Sequence, residues 1–346
     1  PGVLPADLTV SLGTLKLGLF LRDGPEVSGE VRVGDIGLCP RMFEKAPPMA
    51  RLLDAGLAAG LVPARPRSGH KGTFGHAVIC GGSAGKTGAL VLAALGAQRS
   101  GCGLVTAAHP ASLGTVLEAK LTSAMTLGLP EGAPGHFGQG AAAGLAAIME
   151  AREALALGPG LGLGAPARDM VLDLAVGLEK PLVLDADALT LLSADPGLLA
   201  RARGPRVLTP HPGEAARLLG LTVPEIQSDR PRAARELAAR TGAAVILKGR
   251  HSLVAGPDGR LLVNSSGGPV LATGGSGDLL TGLVAGLLAQ GTDPLGAAAL
   301  GTFLHGLASD LAAERLVDRG LFPTEIQACL PEAWKTLAGV GRDLAI

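Results

Sequence analysis

The sequence predicts an α/β protein in which a mostly parallel central sheet lies between two layers of helices, a three-layer sandwich. From residue 70 onward, short apolar runs bounded by Gly or Pro alternate with stretches of helical length that are rich in Ala and Leu. Such apolar runs are typical of strands buried on both faces of a sheet. With 346 residues, 47% of them hydrophobic, the chain can form one large core and a small appendage.

The apolar runs predict eight strands, at residues 77–80, 104–108, 154–157, 182–185, 207–209, 244–247, 252–255 and 261–264. Between and after them, helices are predicted at residues 89–99, 213–219, 232–241, 278–289, 295–314 and 323–337. The last two strands flank Pro257-Asp258-Gly259, a turn that favours an antiparallel hairpin.

The residue pattern at the front of the chain differs from that of the rest. Residues 6–12 and 29–37 alternate at period two and predict short strands, while residues 39–68 form a connector with a short helix within 41–53. Residues 63–69 are typical of a linker because they hold two prolines and two arginines. We therefore divide the chain into a front part, 1–65, and a main domain, 66–346.

Composition argues against several classes of function. The net charge is +0, aromatic residues make up 2% and Tyr is absent, so no nucleic-acid partner is expected. The four cysteines form no Cys-x-x-Cys pair and the histidines have no metal-ligand spacing. Polar residues and glycines interrupt every apolar stretch, so no membrane partner is expected. We expect a soluble cytoplasmic protein, and a fragment, because the chain begins at Pro1.

The most informative stretch is Ala272-Thr273-Gly274-Gly275-Ser276-Gly277-Asp278, which precedes a long apolar run interpreted as a buried helix. Its glycines leave the backbone free to fold around a ligand, and a helix N-terminus offers amides to an anion. Asp278 would be repelled there unless it takes part in the chemistry, for example by accepting a proton from a nucleophile. A plain helix cap is the alternative interpretation, because Ser, Gly and Asp are ordinary capping residues.

Further turns follow the other predicted strands, at the carboxyl ends where parallel sheets bind ligands. They are Gly81-Gly82-Ser83-Ala84-Gly85-Lys86-Thr87-Gly88-Ala89, Gly158-Pro159-Gly160-Leu161-Gly162, the acids Asp185 and Asp187, Thr209-Pro210-His211-Pro212-Gly213-Glu214, and Lys248-Gly249-Arg250-His251-Ser252. The first is not a Walker A loop, because Cys80 stands where that motif needs its first Gly. Each turn alone also fits a structural role, as a tight turn, a helix cap or a solvated bend. Asp185 and Asp187 suit a metal or a substrate, although in such pairs one acid is more often a helix cap and the other structural. Their coincidence at one edge predicts a single cleft.

Two of these segments together resemble the ribokinase superfamily, in which Thr-Pro-Asn-x-x-Glu handles metal and Gly-x-Gly-Asp carries the anion hole and base. His211 stands at the Asn position, and this change, with Pro212-Gly213 before Glu214, is similar to the NAD(P)HX dehydratases. So are His70-Lys71-Gly72-Thr73-Phe74-Gly75-His76, the glycines of 158–162 and Leu247-Lys248-Gly249. The resemblance covers roughly residues 66–340 and implies a ribokinase-like three-layer α/β/α sandwich.

The resemblance implies repair of hydrated NADH or NADPH (NADHX, NADPHX) with ADP or ATP as co-substrate. Phosphoryl transfer to the ring hydroxyl is followed by loss of phosphate. Asp278 would be the general base, ionised at pH 7 on its solution pKa of ~3.9. The implied contacts with the hydrated dinucleotide are Ala89, Gly162, His211, Pro212, Gly213, Glu214 and Asp278. The implied contacts with the nucleotide are Lys248, Gly249, Arg250, His251, Ser252, Gly274, Gly275, Ser276 and Gly277. Mg²⁺ would bridge the phosphates, with Glu214 ordering it through water.

Residues 1–38, above all Ala6-Asp7-Leu8-Thr9-Val10, resemble the end of the NAD(P)HX epimerase domain that precedes the dehydratase in bifunctional proteins. We interpret residues 1–65 as a remnant of that domain plus a linker. We expect no epimerase activity, because the catalytic residues of that domain lie upstream of such a remnant. A homo-oligomer is also expected. A ribokinase-like kinase of a sugar or vitamin precursor and a non-catalytic nucleotide-binding module stay open as alternatives.

Overall fold

The computed structural model describes residues 3–343. Within them the strands are β1 (Leu8–Leu12), β2 (Glu30–Gly34), β3 (Arg51–Leu53), β4 (His76–Cys80), β5 (Leu104–Pro110), β6 (Met125–Leu129), β7 (Ala154–Leu157), β8 (Leu182–Leu184), β9 (Arg206–Leu208), β10 (Ala244–Leu247), β11 (Leu253–Ala255) and β12 (Leu261–Asn264). The helices are α1 (Gly24–Val27), α2 (Pro40–Lys45), α3 (Ala55–Ala59), α4 (Thr87–Arg99), α5 (Gly114–Lys120), α6 (Ala141–Met149), α7 (Ala165–Gly177), α8 (Asp187–Leu192), α9 (Pro212–Leu219), α10 (Val223–Ser228), α11 (Arg230–Thr241), α12 (Ser276–Ala289), α13 (Pro294–Arg315) and α14 (Pro323–Asp343).

Ten strands form one sheet in the order β3-β12-β11-β10-β9-β8-β7-β4-β5-β6. Neighbouring strands are parallel except at β11, which runs antiparallel to β10 and to β12. The predicted hairpin is therefore confirmed, and so is the mostly parallel sheet. All residues of β4 and β7 are buried, as the continuous apolar runs predict.

Helices cover both faces of this sheet. Ala77 and Ile79 of β4 belong to the core shared with α3, α4, α5, α12, α13 and α14. Val78 and Cys80 belong to the core shared with α6 to α11. Because successive side chains of a strand point to opposite faces, one apolar run supplies both cores, and the three-layer prediction is confirmed.

Glycines allow α12 to lie close to α4. A Cβ atom on Gly282 would come within 1.7 Å of the Ala93 carbonyl oxygen, and one on Gly96 within 2.1 Å of the Leu279 carbonyl oxygen. The helix also packs against β4, β7 and β8. This packing fixes the N-terminus of α12 at the carboxyl ends of the central strands.

Some elements differ from the sequence prediction. The short helix expected within 41–53 is α2, whereas residues 51–53 form the edge strand β3, which was not predicted and pairs in parallel with β12. Only Leu53 of its three residues is buried, so the run is too short to show a period. β6 also escaped prediction, because it holds a glycine and buries only Leu129. The boundary at 65/66 stays a prediction, although β3 and α3 precede it and belong to the main sheet and its helix layer.

The predicted front strands exist as a separate parallel pair, β1 and β2. The segment between them contacts the turn after β10: the Phe20 ring lies edge-on to His251 at 5.5 Å between ring centroids, and Glu26 forms an ion pair with Arg250. Among residues 3–343, no helix is both long and apolar enough to cross a membrane.

Candidate active site

The N-terminus of α12 forms a cradle of amides. Gly275, which caps the helix, has φ +91°, and a Cβ atom there would lie 2.4 Å from Leu92 Cδ1, so the position requires glycine. Within residues 3–343, the amides of Gly275, Gly277 and Asp278 donate to no acceptor. Unbonded amides at a helix N-terminus suit an anion, as the sequence predicts.

Asp278 lies in the first turn of α12, beside this cradle. Its burial, and next the negative charge of Asp185, raise its pKa to about 7, although Lys248 acts in the opposite direction. The expectation that Asp278 is fully ionised at pH 7 is therefore wrong. The solution pKa assumes full hydration, which this carboxyl group has lost.

A largely buried network near Asp278 joins β8 and α12 to the turn after β10. Asp185, which is 1% exposed, accepts hydrogen bonds from Lys248 Nζ (3.0 Å) and Thr281 Oγ1 (2.6 Å). Burial lowers the pKa of Lys248, but the Asp185 and Glu214 carboxylates outweigh burial and raise it. A Cβ atom on Gly277 would lie 3.2 Å from Lys248 Nζ, so this fixed positive charge reaches the floor of the cradle.

His211 and Glu214 form the cap of α9. His211 Nδ1 accepts from the amides of Gly213 (3.0 Å) and Glu214 (3.4 Å), and Glu214 Oε2 accepts from the His211 amide (2.7 Å). Burial is the main cause that lowers the pKa of His211, so its ring is neutral at pH 7. Burial raises the pKa of Glu214 to about 7. The capping role and the functional role are both compatible with this geometry.

The loops after β4, β7 and β8 interlock. Gly160 has φ +63°, and a Cβ atom there would lie 2.6 Å from the Lys86 carbonyl oxygen and 3.2 Å from Ala89 Cβ. The Gly162 amide donates to Asp187 Oδ2 (2.8 Å), and Lys86 Nζ lies 3.1 Å from the same oxygen. Ala89 and Gly162, both predicted to bind the dinucleotide, therefore belong to one rigid wall.

The predicted nucleotide residues divide into two groups. Lys248 reaches the cradle formed by Gly274, Gly275, Ser276 and Gly277, as described above. Arg250 and His251 instead turn their side chains toward the front segment, and His251 Nδ1 lies 2.9 Å from the Asn264 carbonyl oxygen. Ser252 Oγ donates to the Gly249 carbonyl oxygen (3.0 Å), which closes the turn on itself.

Sequence reasoning missed Thr281 and assigned no single role to Asp185, and both contribute to this site. Thr281 stands one helical turn after Asp278, a spacing that puts both on one face of α12 and could have indicated it. In the structure, Asp185 is the ion-pair partner of Lys248.

A metal bound mainly by protein ligands does not fit here. Among residues 3–343 there is no group of three or more His, Cys, Asp or Glu side chains placed to hold a metal ion. A hydrated Mg²⁺ carried by nucleotide phosphates does fit, because that ion keeps most of its water. Two groups in the segment after β9 have spare acceptor capacity: the buried Thr209 Oγ1, which has no partner within the described residues, and Glu214 Oε1.

The layered parallel sheet, the amide cradle and the adjacent, partly buried acid define a nucleotide-dependent enzyme of the ribokinase-like class. The NAD(P)H-hydrate dehydratase family matches residues 77–332, and the chain belongs to this family. Its resemblance to the NAD(P)HX dehydratases is thereby confirmed.

Three similar proteins support this assignment. An ADP-dependent (S)-NAD(P)H-hydrate dehydratase of Neisseria meningitidis is 44% identical over 267 residues, which cover 76% of this chain and 86% of that protein. A crystal structure of the Bacillus subtilis ADP/ATP-dependent NAD(P)H-hydrate dehydratase, co-crystallised with ATP/Mg²⁺, has a TM-score of 0.70 at 30% identity and covers 83% of this chain and 99% of that chain. A bifunctional NAD(P)H-hydrate repair enzyme of Moorella thermoacetica is 41% identical over 349 residues, 98% of this chain. The chain spans 66% of the length of that bifunctional relative.

Proposed function

We propose that this chain catalyses the nucleotide-dependent dehydration of hydrated NADH and NADPH, with ADP or ATP as phosphoryl donor. The observation that carries the proposal is Asp278, a partly buried acid with a raised pKa beside the α12 amides and the Lys248 ammonium. Membership of the NAD(P)H-hydrate dehydratase family supports it. Because the bifunctional relatives are longer, the proposal concerns the dehydratase reaction alone.

In the first step, the ring hydroxyl of the hydrated dinucleotide attacks the terminal phosphorus of the nucleotide. Asp278 accepts the hydroxyl proton as the new P–O bond forms, and the P–O bond to the nucleotide breaks to release AMP from ADP, or ADP from ATP. The free amides of α12 and Lys248 stabilise the charge on the transferred phosphoryl group, a task of positioning and electrostatics.

In the second step, phosphate leaves with the electrons of the ring C–O bond, and the neighbouring carbon loses a proton. The carbon–carbon double bond of the dihydropyridine is thereby restored. Phosphate is a far better leaving group than hydroxide, which is why the nucleotide is consumed.

Asp278 suits the first step because a general base works best with a pKa near the working pH. At a pKa of about 7, roughly half of Asp278 is ionised at neutral pH. Its ionised fraction, and with it the rate, should rise with pH through this range.

The two substrates would occupy opposite ends of the cleft. We assign the dinucleotide to the interlocked loops with Ala89 and Gly162 and to the cap residues His211, Pro212, Gly213 and Glu214. We assign the nucleotide to the turn Lys248, Gly249, Arg250, His251 and Ser252 and to the cradle. Mg²⁺, when bound, neutralises phosphate charge, and Glu214 would hold one of its waters. A homo-oligomer and a cytoplasmic location stay predictions.

One assay tests the proposal. Hydrated NADH is incubated with ADP or ATP and Mg²⁺, and recovery of NADH absorbance is followed together with released phosphate. We expect one phosphate per NADH restored, and no reaction without nucleotide. Phosphorylation of a sugar or of hydroxymethylpyrimidine without turnover of hydrated NADH would identify a small-molecule kinase. Nucleotide binding with no phosphate release would identify a binding module.

A further inference from the structure

The turn proposed to hold the nucleotide, residues 248–252, has a strained backbone conformation. Gly249 has φ +145° and His251, a non-glycine residue, has φ +48°. A side chain in the left-handed region costs ~1 kcal/mol or more, so the surroundings must hold it there. The contacts of this turn therefore decide whether its amides are placed for a nucleotide.

A buried guanidinium lies directly beneath the turn. Arg230, the first residue of α11, is 8% exposed, and it donates from Nη1 to the Arg250 carbonyl oxygen (2.6 Å) and from Nη2 to the Leu247 carbonyl oxygen (3.2 Å). A Cβ atom on Gly249 would lie 2.8 Å from Nη2. One rigid fork thus bridges the carbonyls on either side of Gly249, which an ammonium group could not do.

The charge of Arg230 is otherwise uncompensated. Within residues 3–343 it forms no ion pair, and its Nε has no hydrogen-bond partner. Burial lowers its pKa to about 10, so the side chain stays charged at pH 7. An unpaired buried cation is costly, and its positive field is directed at the turn and at any phosphate bound there.

Contacts on the outer side of the turn are weaker. The Arg250–Glu26 ion pair joins side chains that are 53% and 70% exposed, and exposed pairs contribute little. The buried fork of Arg230 therefore holds the centre of the turn in place, while Lys248 on Asp185 and His251 on the Asn264 carbonyl oxygen hold its two sides.

We propose that Arg230 is a positioning residue for nucleotide binding: it holds the 248–252 turn in the conformation that receives the diphosphate of ADP. This inference rests on the proposed function, because it assumes that the turn binds the nucleotide.

Arg206 offers a matched control. It is 3% exposed, burial lowers its pKa to about 10, and it too donates to backbone carbonyls, among them Ala175 (2.8 Å). It begins β9, however, and so lies at the amino edge of the sheet, away from the cleft. Replacing it tests the general cost of losing a buried arginine.

The test compares Arg230→Lys and Arg230→Met with Arg206→Lys, by steady-state kinetics, calorimetric titration with ADP and melting temperature. We expect KM and Kd for ADP to rise about 10-fold in Arg230→Lys and further in Arg230→Met, as for lost charge-assisted hydrogen bonds. The kcat and the KM for hydrated NADH should stay within about threefold of the parent. Arg206→Lys should lower the melting temperature and leave ADP affinity unchanged.

Unchanged ADP affinity in a folded Arg230→Lys variant would overturn the inference, and so would an equal loss in Arg206→Lys. If Arg230→Met does not fold, Arg230→Lys still decides the question. The ADP titration does not depend on turnover. A parent protein that binds ADP but leaves hydrated NADH unchanged refutes the proposed function, while the titration still decides the role of Arg230.

Discussion

The two ends of the cleft are built by different physical means. At one end, Gly160 and Gly162 bring the loops after β4 and β7 within backbone contact, and the structure is fixed by shape. At the other end, the turn after β10 is fixed by buried charges, with Lys248 on Asp185 and Arg230 on backbone carbonyls. Shape can exclude a wrong substrate and water, whereas charge acts on a neighbouring pKa directly. The pKa of Asp278 responds to both, because burial raises it most and the charge of Asp185 raises it further.

Removing the Asp278 carboxylate, between the two ends of the cleft, should have the largest effect on turnover. Asp278→Asn keeps the shape but cannot accept the hydroxyl proton, so kcat should fall by ~10²–10⁴-fold. ADP affinity should be equal or higher, because a negative charge beside the phosphates is gone. Stopped-assay kinetics and ADP titration measure both. Near-normal turnover would remove Asp278 from the role of base.

The end of the cleft formed by Gly160 and Gly162 can be disrupted without removing a charged side chain. Gly160→Ala adds a Cβ atom at a left-handed φ, 2.6 Å from a backbone oxygen, so the loop must move. The KM for hydrated NADH should rise about 10-fold, with unchanged ADP affinity. Gly164→Ala, on the same loop at φ −65° and with its nearest contact at 3.9 Å, should behave like the parent. Equal effects of the two variants would contradict the assignment of this loop.

The role of charge at the turn after β10 can be tested by replacing Lys248, with Lys86 at the other end of the cleft as the control. Lys248→Met leaves Asp185 without its buried partner and removes a charge that lowers the pKa of Asp278. ADP should bind at least about fivefold more weakly, and the acid limb of the rate profile should move to higher pH. Lys86→Met breaks a pair in which the lysine is 51% exposed, so its effect on ADP should be within about twofold. A larger ADP effect for Lys86 would place the nucleotide at the glycine end.

The smallest effect is expected at His211. His211→Ala loses the cap of α9, which costs about 1 kcal/mol of stability, and raises the KM for hydrated NADH by roughly threefold. His211→Asn restores the cap and should recover the melting temperature but not the KM. A loss confined to ADP affinity would mean that the two ends are reversed.

The fold could be predicted from the sequence where buried strands form continuous apolar runs. Strands β4 and β7 are buried on both faces, so every residue after His76 in β4 and every residue of β7 is apolar, and the run is visible. The edge strand β3 gives no such signal, because its pairing with β12 comes from residues more than 200 positions away. Chain-local patterns do not contain that information.

In the candidate site, too, local patterns could be predicted from the sequence and long-range contacts could not. Glycines and prolines at strand ends mark turns by local geometry, so the positions of the cradle and of the 248–252 turn could be predicted. The network of Asp185, Lys248 and Thr281 could not, since its members lie 63 and 96 positions apart along the chain. The ionisation of Asp278 was predicted wrongly because its burial, the main cause of its raised pKa, and its closeness to Asp185 both depend on such long-range packing.

The role of Asp278 as a partly buried base with a raised pKa is tested most directly by the pH dependence of kcat/KM for hydrated NADH at saturating ADP. The rate should rise about tenfold per pH unit below about 7 and level off above it, because only the ionised carboxylate accepts the proton. Glu214 also has a pKa of about 7, so the profile is repeated with Glu214→Gln, in which the limb should persist at slightly lower pH. A rate that is flat from pH 5 to 8, or a limb that vanishes in Glu214→Gln, would contradict the assignment of Asp278 as the base.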